Sequence, residues 1–557
     1  MAVSPEAASA AVAPRAYTLS VVMIVKNEAA NLRRLLPLVA PVADEIVLLD
    51  SGSSDDGQAV AQQYGAQWHV ASDWQGFGIQ RQRAQALSRG DWILVLDGDE
   101  SPDAVLLEAI ARIKTQAPGD TVYGIRRIDE VFGHLIDYPR RGIKAHWRLY
   151  PRRFGYCDSA VHESLQLQGA QTQVLPGFLR HHTAATPHFW LEKRLSYAMA
   201  WARDRMQGRR VGVASVLLHT FWAFIKQYFV DRRFLCGRYG WIYAWLFAQY
   251  TFHKYALLND VQRRSQGYAP DFEPHAINRH HLPPPPTAPV ADAARPYRLS
   301  VVLIVCNEAK HLPACLASIA DLAHEIVILD SGSTDESERI ARHFGAQWHT
   351  SADWPGFGVQ RQRAQALASG DYVLVIDADE QPDATLKNAI RQVLASAPDA
   401  RRVYNIRRRN IFCGSVVHAW YTDGLVRLYP REHFQYHPYD VHESLDSRDA
   451  AVVTLPGRLD HYTNDNLYHF LQKNLRYSHT WAQEKAAQGK RAPSLWLLPL
   501  KSAFAFFREY IIRGAFWGGR YGLYLAISTA GYHFNKYLML HWAREQAERT
   551  PNDPNPS

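Results

Sequence analysis

One long stretch of this chain is written twice. Leu19-Ser-Val-Val-Met-Ile-Val-Lys-Asn-Glu28 recurs as Leu299-Ser-Val-Val-Leu-Ile-Val-Cys-Asn-Glu308, with Ser300 standing 280 residues after Ser20. The spacing persists. Asp50-Ser-Gly-Ser53 returns as Asp330-Ser-Gly-Ser333, Gln80-Arg-Gln-Arg83 as Gln360-Arg-Gln-Arg363, Asp97, Asp99 and Glu100 as Asp377, Asp379 and Glu380, and His162-Glu163 as His442-Glu443. A unit of this size is a domain rather than the short repeat of a solenoid. At 557 residues and 47% apolar composition the chain has enough material for two cores.

The boundaries expected from this are a disordered leader at 1–16, a first domain at 17–185 and a first helical tract at 186–266. A Pro-rich linker at 267–296, a second domain at 297–465, a second tract at 466–547 and a disordered tail at 548–557 complete the chain. The leader is rich in Ala and Pro and has neither a basic n-region nor an apolar h-region, so it does not read as an export signal. The linker includes Pro283-Pro284-Pro285-Pro286, which favours an extended polyproline segment.

Within each copy, short apolar runs at Leu19–Val25, 45–49 and 91–96 alternate with helix-like stretches at Ala29–Val39, 57–64 and 79–88. This is the pattern of a parallel sheet with crossover helices. The net charge of +8 favours anionic partners such as sugar diphosphates or acidic headgroups. Nucleic acid is disfavoured, because no finger, basic heptad region or RNP-like run is present. The five cysteines are scattered and odd in number, so they support neither a disulfide framework nor a zinc site; a reducing cytoplasm fits them.

Ligands of open α/β sheets bind beyond the carboxyl ends of the strands, and Asp50 and Asp97-Gly-Asp99-Glu100 fall where a strand stops. Two carboxylates spaced in this way can share one hard divalent ion, Mg²⁺ or Mn²⁺, and leave room for diphosphate oxygens. The plainer reading is an acidic turn capping the helix after Pro102; the duplication argues against it. Arg81 and Arg83, echoed by Arg361 and Arg363, sit on a predicted helix before these aspartates, with Arg83 and Arg363 the preferred partners of phosphate.

Val-Lys-Asn-Glu, Leu-Asp-Ser-Gly-Ser-x-Asp, Gly-Phe-Gly-x-Gln-Arg-Gln-Arg and Leu-Asp-x-Asp-Glu, in that order, resemble family 2 glycosyltransferases, and in particular the lipopolysaccharide-core β-glucosyltransferase subgroup. The resemblance spans nearly all of both halves. It implies two tandem α/β domains of GT-A type, Rossmann-like with a mostly parallel sheet, each followed by an amphipathic aromatic and basic helical tract. It assigns Asn27, Glu28 and Asp50, with Asn307, Glu308 and Asp330, to the nucleoside pocket. Asp97 and Asp99, with Asp377 and Asp379, go to the metal and diphosphate. Inverting transfer needs a base for the acceptor hydroxyl. Glu163 and Glu443 fill that role, each in Val-His-Glu-Ser-Leu after Arg148-Leu-Tyr-Pro-Arg152 or Arg427-Leu-Tyr-Pro-Arg431, segments read as an acceptor wall. His162 and His442 are candidates to complete the metal shell.

The copies part at one place. The second has Trp420-Tyr-Thr-Asp423, the family's acceptor-side pattern, where the first has Asp137-Tyr-Pro-Arg-Arg-Gly-Ile-Lys144. Asp423 is thus a rival base, and the acceptor pockets should differ. The tracts, Phe221 to Tyr255 and Phe504 to Tyr537, interleave aromatics with Lys and Arg, which suits a helix lying in the headgroup region; an aromatic core on the domain is the other reading. The expected function is inverting transfer of a hexose from a nucleotide-sugar, foremost a UDP-sugar, to a lipopolysaccharide-core or other envelope glycan, on the inner face of the inner membrane. The competing readings are one catalytic half with a non-catalytic docking half, and a nucleotidyltransferase, which would want a Gly-rich first loop that Val25-Lys-Asn-Glu28 does not provide.

Overall fold

Strands covered on both faces read as nearly continuous apolar runs, as Leu19–Val25 (β1), Glu45–Asp50 (β2) and Trp92–Val95 (β4) do. The computed structural model describes residues 17–137, 143–159, 163–265, 277, 279–284, 296–351, 353–417, 424–438, 444–447 and 449–549. In the first repeat β1 lies between β2 and β4, and Gln67–Val70 (β3) pairs with β2, all in parallel. The register places Val25, Asp50 and Val70 at one level, so these three strands end together and their loops share one edge. Ala29–Val39 (α1) and Ala104–Lys114 (α4) cover one face through Leu32, Leu35, Leu36, Leu106 and Ile110. The other face packs Val22, Leu49, Ile93 and Val95 against Ala84 of the helix Phe77–Ala86 (α3), with Tyr150 and Tyr156.

The expectation of a mostly parallel sheet holds only for that half. Thr121–Val131 (β6) and Ala145–Pro151 (β8) enter antiparallel, with β8 next to β4. The long Gln171–Ala184 (β9) then runs parallel to β6 and antiparallel to the short Glu100–Pro102 (β5). The physical reason is the connection: from β6 onward the chain returns without a crossover helix, and a direct return makes an antiparallel pair. The second repeat has the same order, except that the counterpart of β6 is interrupted between Arg402–Ile406 and Arg408–Phe412. Its strands therefore fall into two sheets instead of one.

Each domain is followed by an aromatic-rich helical tract. The first contains helices at Pro187–Asp204, Val213–Ile225 and Gly237–Ser265, the second at Leu467–Ala487, Leu498–Phe507 and Gly519–Arg549. Val213–Val230, with a mean hydropathy of 1.2, is the one helical stretch among the described residues long and apolar enough to cross a bilayer by length and composition. The chain divides into two compact units. One compact unit comprises Met1–Arg194, Thr220–Thr251 and Arg544–Ser557; the other comprises Leu195–His219 and Phe252–Ala543.

The end of the last helix thus belongs to the unit of the first domain. There Glu545 accepts from the Tyr239 hydroxyl and lies 3.2 Å from Nε2 of His134, whose ring stacks on Tyr239 at 3.4 Å between centroids. Glu545→Ala, a change near the C-terminus, should therefore destabilise the unit of the first domain by about 1–3 kcal/mol, the usual cost of stranding a buried donor. Denaturant unfolding followed by hydrogen exchange on β6 and β7 (His134–Leu135) would read it; protection lost only in the second unit would refute the assignment.

Candidate active site

The loops that leave β1 and β2 are tied together by the residues expected to hold a nucleoside. Asn27 adopts a left-handed conformation (φ 55°), which asparagine tolerates better than most residues. Its backbone N–H donates to Ser53 Oγ at 2.8 Å, and its Oδ1 accepts from Ser54 N at 2.8 Å. Asp50 is buried and accepts from Ser53 N at 3.0 Å, closing the Ser-Gly-Ser turn. Asn307 and Asp330 make the same bonds with Ser333 and Thr334. Asn27 and Asp50 thus shape the rim, while Lys26, Glu28 and Ser51 line the cavity beside it. Burial, reinforced by the nearby Asp99, pushes the Glu28 carboxyl above its ordinary value; burial and Asp379 push Glu308 up to about 7.

The cavity, about 750 Å³, opens at the strand ends, and Asp97, Asp99, Glu163, Arg81, His181 and Lys193 all reach it. Asp97 is held between two buried guanidinium groups, accepting from Arg81 Nη2 at 2.7 Å and Arg148 Nη2 at 2.8 Å. Arg148 also donates to the buried Glu100 at 3.0 Å, and Glu100 accepts from Asp97 N at 3.0 Å. Despite its burial, the two arginines hold the Asp97 carboxyl far below the usual carboxylate range. Arg81 continues through Nε to Glu163 Oε1 at 3.0 Å. The second repeat has the same clamp: Asp377 accepts from Arg361 at 2.8 Å and Arg427 at 2.9 Å.

The guanidinium in the cavity is therefore Arg81, not Arg83. Arg83, two residues on and so about half a helical turn away from the inward face, pairs with Asp73 at 3.0 Å on the surface, and Arg363 pairs with Asp353 at 2.8 Å. The segments read as an acceptor wall are interior strand instead, with Leu149, Tyr150, Leu428 and Tyr429 buried. The capping of the following helix is done by Asp103 and Asp383, whose side chains accept from Leu106 N and Leu386 N at 2.8 Å, so the aspartates before them are not the caps.

Asp99 faces a residue that the motif search passed over. His181 Nε2 is 3.3 Å from Asp99 Oδ2, and its Nδ1 is 2.8 Å from Asp129 Oδ1. Burial disfavours charge on this ring, but the hydrogen bonds to Asp129 and Asp99 prevail and raise its pKa to about 9. His461 stands in the same way, 3.5 Å from Asp379 and 2.9 Å from Asn410. The signal was available, since His181 and His461 are also 280 residues apart, following Leu179 and Leu459.

Among the described residues no three His, Cys, Asp or Glu side chains converge as a ready-made metal centre. One carboxylate and one imidazole facing an open cavity, Asp99 with His181, nevertheless suit a divalent ion whose remaining sites go to ligand oxygens. Asp97, with both oxygens taken by arginines, suits that role less. His162, His442, Glu443 and Asp423 lie outside the described residues. The loop toward Glu163 explains one glycine: a Cβ on Gly78 would lie 2.1 Å from the Cys157 carbonyl oxygen, so only glycine lets α3 approach that loop.

A family model described as glycosyl transferase family 2 matches residues 20–161 and again residues 300–442. An uncharacterized glycosyltransferase of Rickettsia prowazekii is 26% identical over 260 residues, covering 44% of this chain and 89% of that protein. The lipopolysaccharide core biosynthesis glycosyltransferase LpsC of Rhizobium meliloti is 29% identical over 257 residues, covering 42% of this chain and 89% of that protein. Among solved structures, a mannosyltransferase of Pyrobaculum calidifontis in complex with GDP-Man and Mn²⁺ is 17% identical with a TM-score of 0.28, covering 46% of this chain and 90% of that one.

Proposed function

Because the chain belongs to glycosyl transferase family 2 through both of its repeats, we propose that each repeat is an inverting hexosyltransferase of GT-A type. It takes a nucleoside-diphosphate sugar, foremost a UDP-sugar, and serves a hydroxyl of a lipopolysaccharide-core or other envelope glycan. One observation carries this reading: Arg81 joins Asp97 to Glu163 across a cavity that also holds Asp99, His181 and Lys193. The rim set by Asn27 and Asp50 receives the nucleoside, and Lys193 and Arg81 face the diphosphate. A Mg²⁺ or Mn²⁺ ion held by Asp99 and His181 would offset charge on the departing nucleotide when bound.

Glu163 accepts the proton of the acceptor hydroxyl as that oxygen attacks the anomeric carbon from the face opposite the leaving diphosphate. A single displacement inverts the configuration. The hydrogen bond from Arg81 Nε fixes the Glu163 carboxylate and leaves its second oxygen for the hydroxyl. In the second repeat Glu443 takes the role, with Asp423 as its rival. The repeated arginine clamp favours two catalytic halves over one catalytic half and a docking module. The likeness to LpsC supports the envelope acceptor, and the exposed apolar helices of the tracts support a peripheral place on the cytoplasmic face of the inner membrane.

The test is product analysis. The full chain with Mn²⁺, a panel of nucleotide-sugars and truncated core oligosaccharides should release UDP and give a product whose anomeric configuration, read by NMR, is opposite to that of the donor. Retained configuration would overturn the inverting mechanism, and consumption of no nucleotide-sugar would overturn the whole reading.

A further inference from the structure

The second helical tract collects three cations and a histidine that, among the described residues, no carboxylate pairs with. Lys501, Arg508 and His533 line a cavity of about 500 Å³, and the buried Lys536 stands beside it. Among the described residues no acidic side chain is paired with any of the four. Arg508 keeps a buried Nε without a hydrogen-bond partner. The ammonium of Lys536 is tolerated by aromatic faces, lying 4.7 Å from the ring centroids of both Trp481 and Tyr532. Repulsion is nevertheless felt: burial, with Lys490 and Arg508, lowers Lys536 to about 8, and burial with Lys536, Arg508 and Lys501 lowers His533 to about 4. Like charges gathered in a half-buried place are costly unless an anion joins them.

The other wall of this cavity is apolar and continues onto the surface. Leu497, Leu500 and Phe504 line it and are exposed, Leu500 to 67%. The surface runs on through the π-helical turn Arg508–Ile512 and the 3-10 turn Ala515–Gly518, where Ile512 is 65% and Trp517 74% exposed. This turn is firmly built, since a Cβ on Gly522 would lie 1.7 Å from the Ala515 carbonyl oxygen.

The first repeat shows that these apolar positions are retained. Lys226 precedes Arg508 by 282 residues, and on that spacing Ile511, Ile512, Phe516 and Trp517 correspond to Phe229, Val230, Phe234 and Leu235, all exposed. The buried supports have changed character in the meantime, Arg233 to Ala515 and Gln227 to Glu509, while the four outward positions have stayed large and apolar. A turn facing only water has no reason to keep them.

We propose that the cavity bounded by Lys501, Arg508, His533 and Lys536 binds the phosphate of a membrane lipid, whose acyl region meets the apolar surface from Leu500 to Trp517. A basic pocket beside apolar, tryptophan-bearing surface is the chemistry of an anionic headgroup site. The inference rests on the membrane-facing part of the functional reading and not on the chemistry of sugar transfer.

The full chain is sedimented with vesicles of phosphatidylglycerol in phosphatidylcholine, and with vesicles of phosphatidylcholine alone. Binding to the anionic vesicles should be at least about tenfold tighter, and Lys501→Gln with Arg508→Gln should lower it by about tenfold or more, at roughly one decade or less per cation. Leu500→Ser with Phe504→Ser should weaken binding to both vesicles by about tenfold. Equal binding of the parent to the two vesicles overturns the headgroup site while leaving a peripheral membrane role in place. Competition by millimolar glycerol phosphate, with the Leu500 and Phe504 changes without effect, identifies a soluble-anion site and overturns the lipid assignment. Thermal midpoints of the variants guard against unfolding, and the parent's own preference between vesicles tests the idea without any substitution.

Discussion

Asp97→Ala is expected to cost the first domain's unit about 3–5 kcal/mol of stability, the usual result of breaking a buried ion pair by removing one partner. Asp99→Ala should leave unfolding within about 0.5 kcal/mol of the parent and slow turnover in the same repeat by about 10²–10³. Two residues apart in a motif that reads as one metal clamp, the two aspartates have different surroundings. Asp97 is shared by Arg81 and Arg148, both buried, and its loss leaves each guanidinium with one carboxylate partner fewer, Glu163 and Glu100 remaining. Its depressed pKa gives the sign: the stabilisation is present above the ordinary aspartate range and disappears only as the pH falls far below it.

Asp99 is about one-third exposed and, among the described residues, pairs with His181 at 3.3 Å, which keeps Asp129 as a second partner, so removing it opens space toward the cavity. On the proposed reading Asp99 would help hold a divalent ion that offsets charge on the departing diphosphate, and losing that electrostatic stabilisation should slow turnover by about 10²–10³. Denaturant unfolding and UDP release, each measured with the second repeat silenced by Asp379→Ala, separate the two effects. Equal loss of stability in both variants would mean that Asp97 and Asp99 act as one structural unit, against the clamp described here.

The strand and helix order was legible because the repeat supplied a second copy of every signal. Apolar runs ending in aspartate gave β2 and β4, and the helix at Ala29–Val39 was read to its last residue. What escaped were contacts made by residues distant in sequence. Arg148 looked like part of an aromatic and basic wall, since a motif cannot show that its side chain crosses the sheet to Asp97, 51 residues earlier. Arg83 was preferred to Arg81 because helical spacing cannot say which of two residues faces inward without the packing of Tyr156, over which Arg81 lies at 5.3 Å. His181 carried no motif of its own, although it shared the repeat spacing. The place of the last helix's end in the first domain's unit has no local signature, because the bond between Glu545 and Tyr239 spans 306 residues.

The two repeats differ behind the histidine, and this gives the second large expectation. Asp129→Asn should weaken divalent-metal binding in the first repeat by about 10- to 100-fold, the typical effect of losing the residue that orients a metal-binding histidine. Asn410→Asp should strengthen it in the second. Nδ1 of His181 donates to a carboxylate and that of His461 to an amide oxygen, at 2.8 and 2.9 Å. Both partners fix the same tautomer and turn Nε2 toward Asp99 or Asp379. Only the carboxylate adds negative charge to the ring, and His181 in turn holds the Asp129 carboxyl below its usual range against the opposing effect of burial.

The same charge strengthens the ring's hold on a proton, so metal and proton compete until the pH passes about 9, where the advantage of the carboxylate should be largest. Asp and Asn are nearly isosteric, so neither exchange alters packing. Calorimetric titration with Mn²⁺ and UDP, one repeat at a time with the other silenced at Asp99 or Asp379, measures the difference without reference to turnover. If both exchanges leave metal affinity where it was, the imidazoles of His181 and His461 are partners of the aspartates only, and the ion must be sought among other ligands, His162 and His442 included.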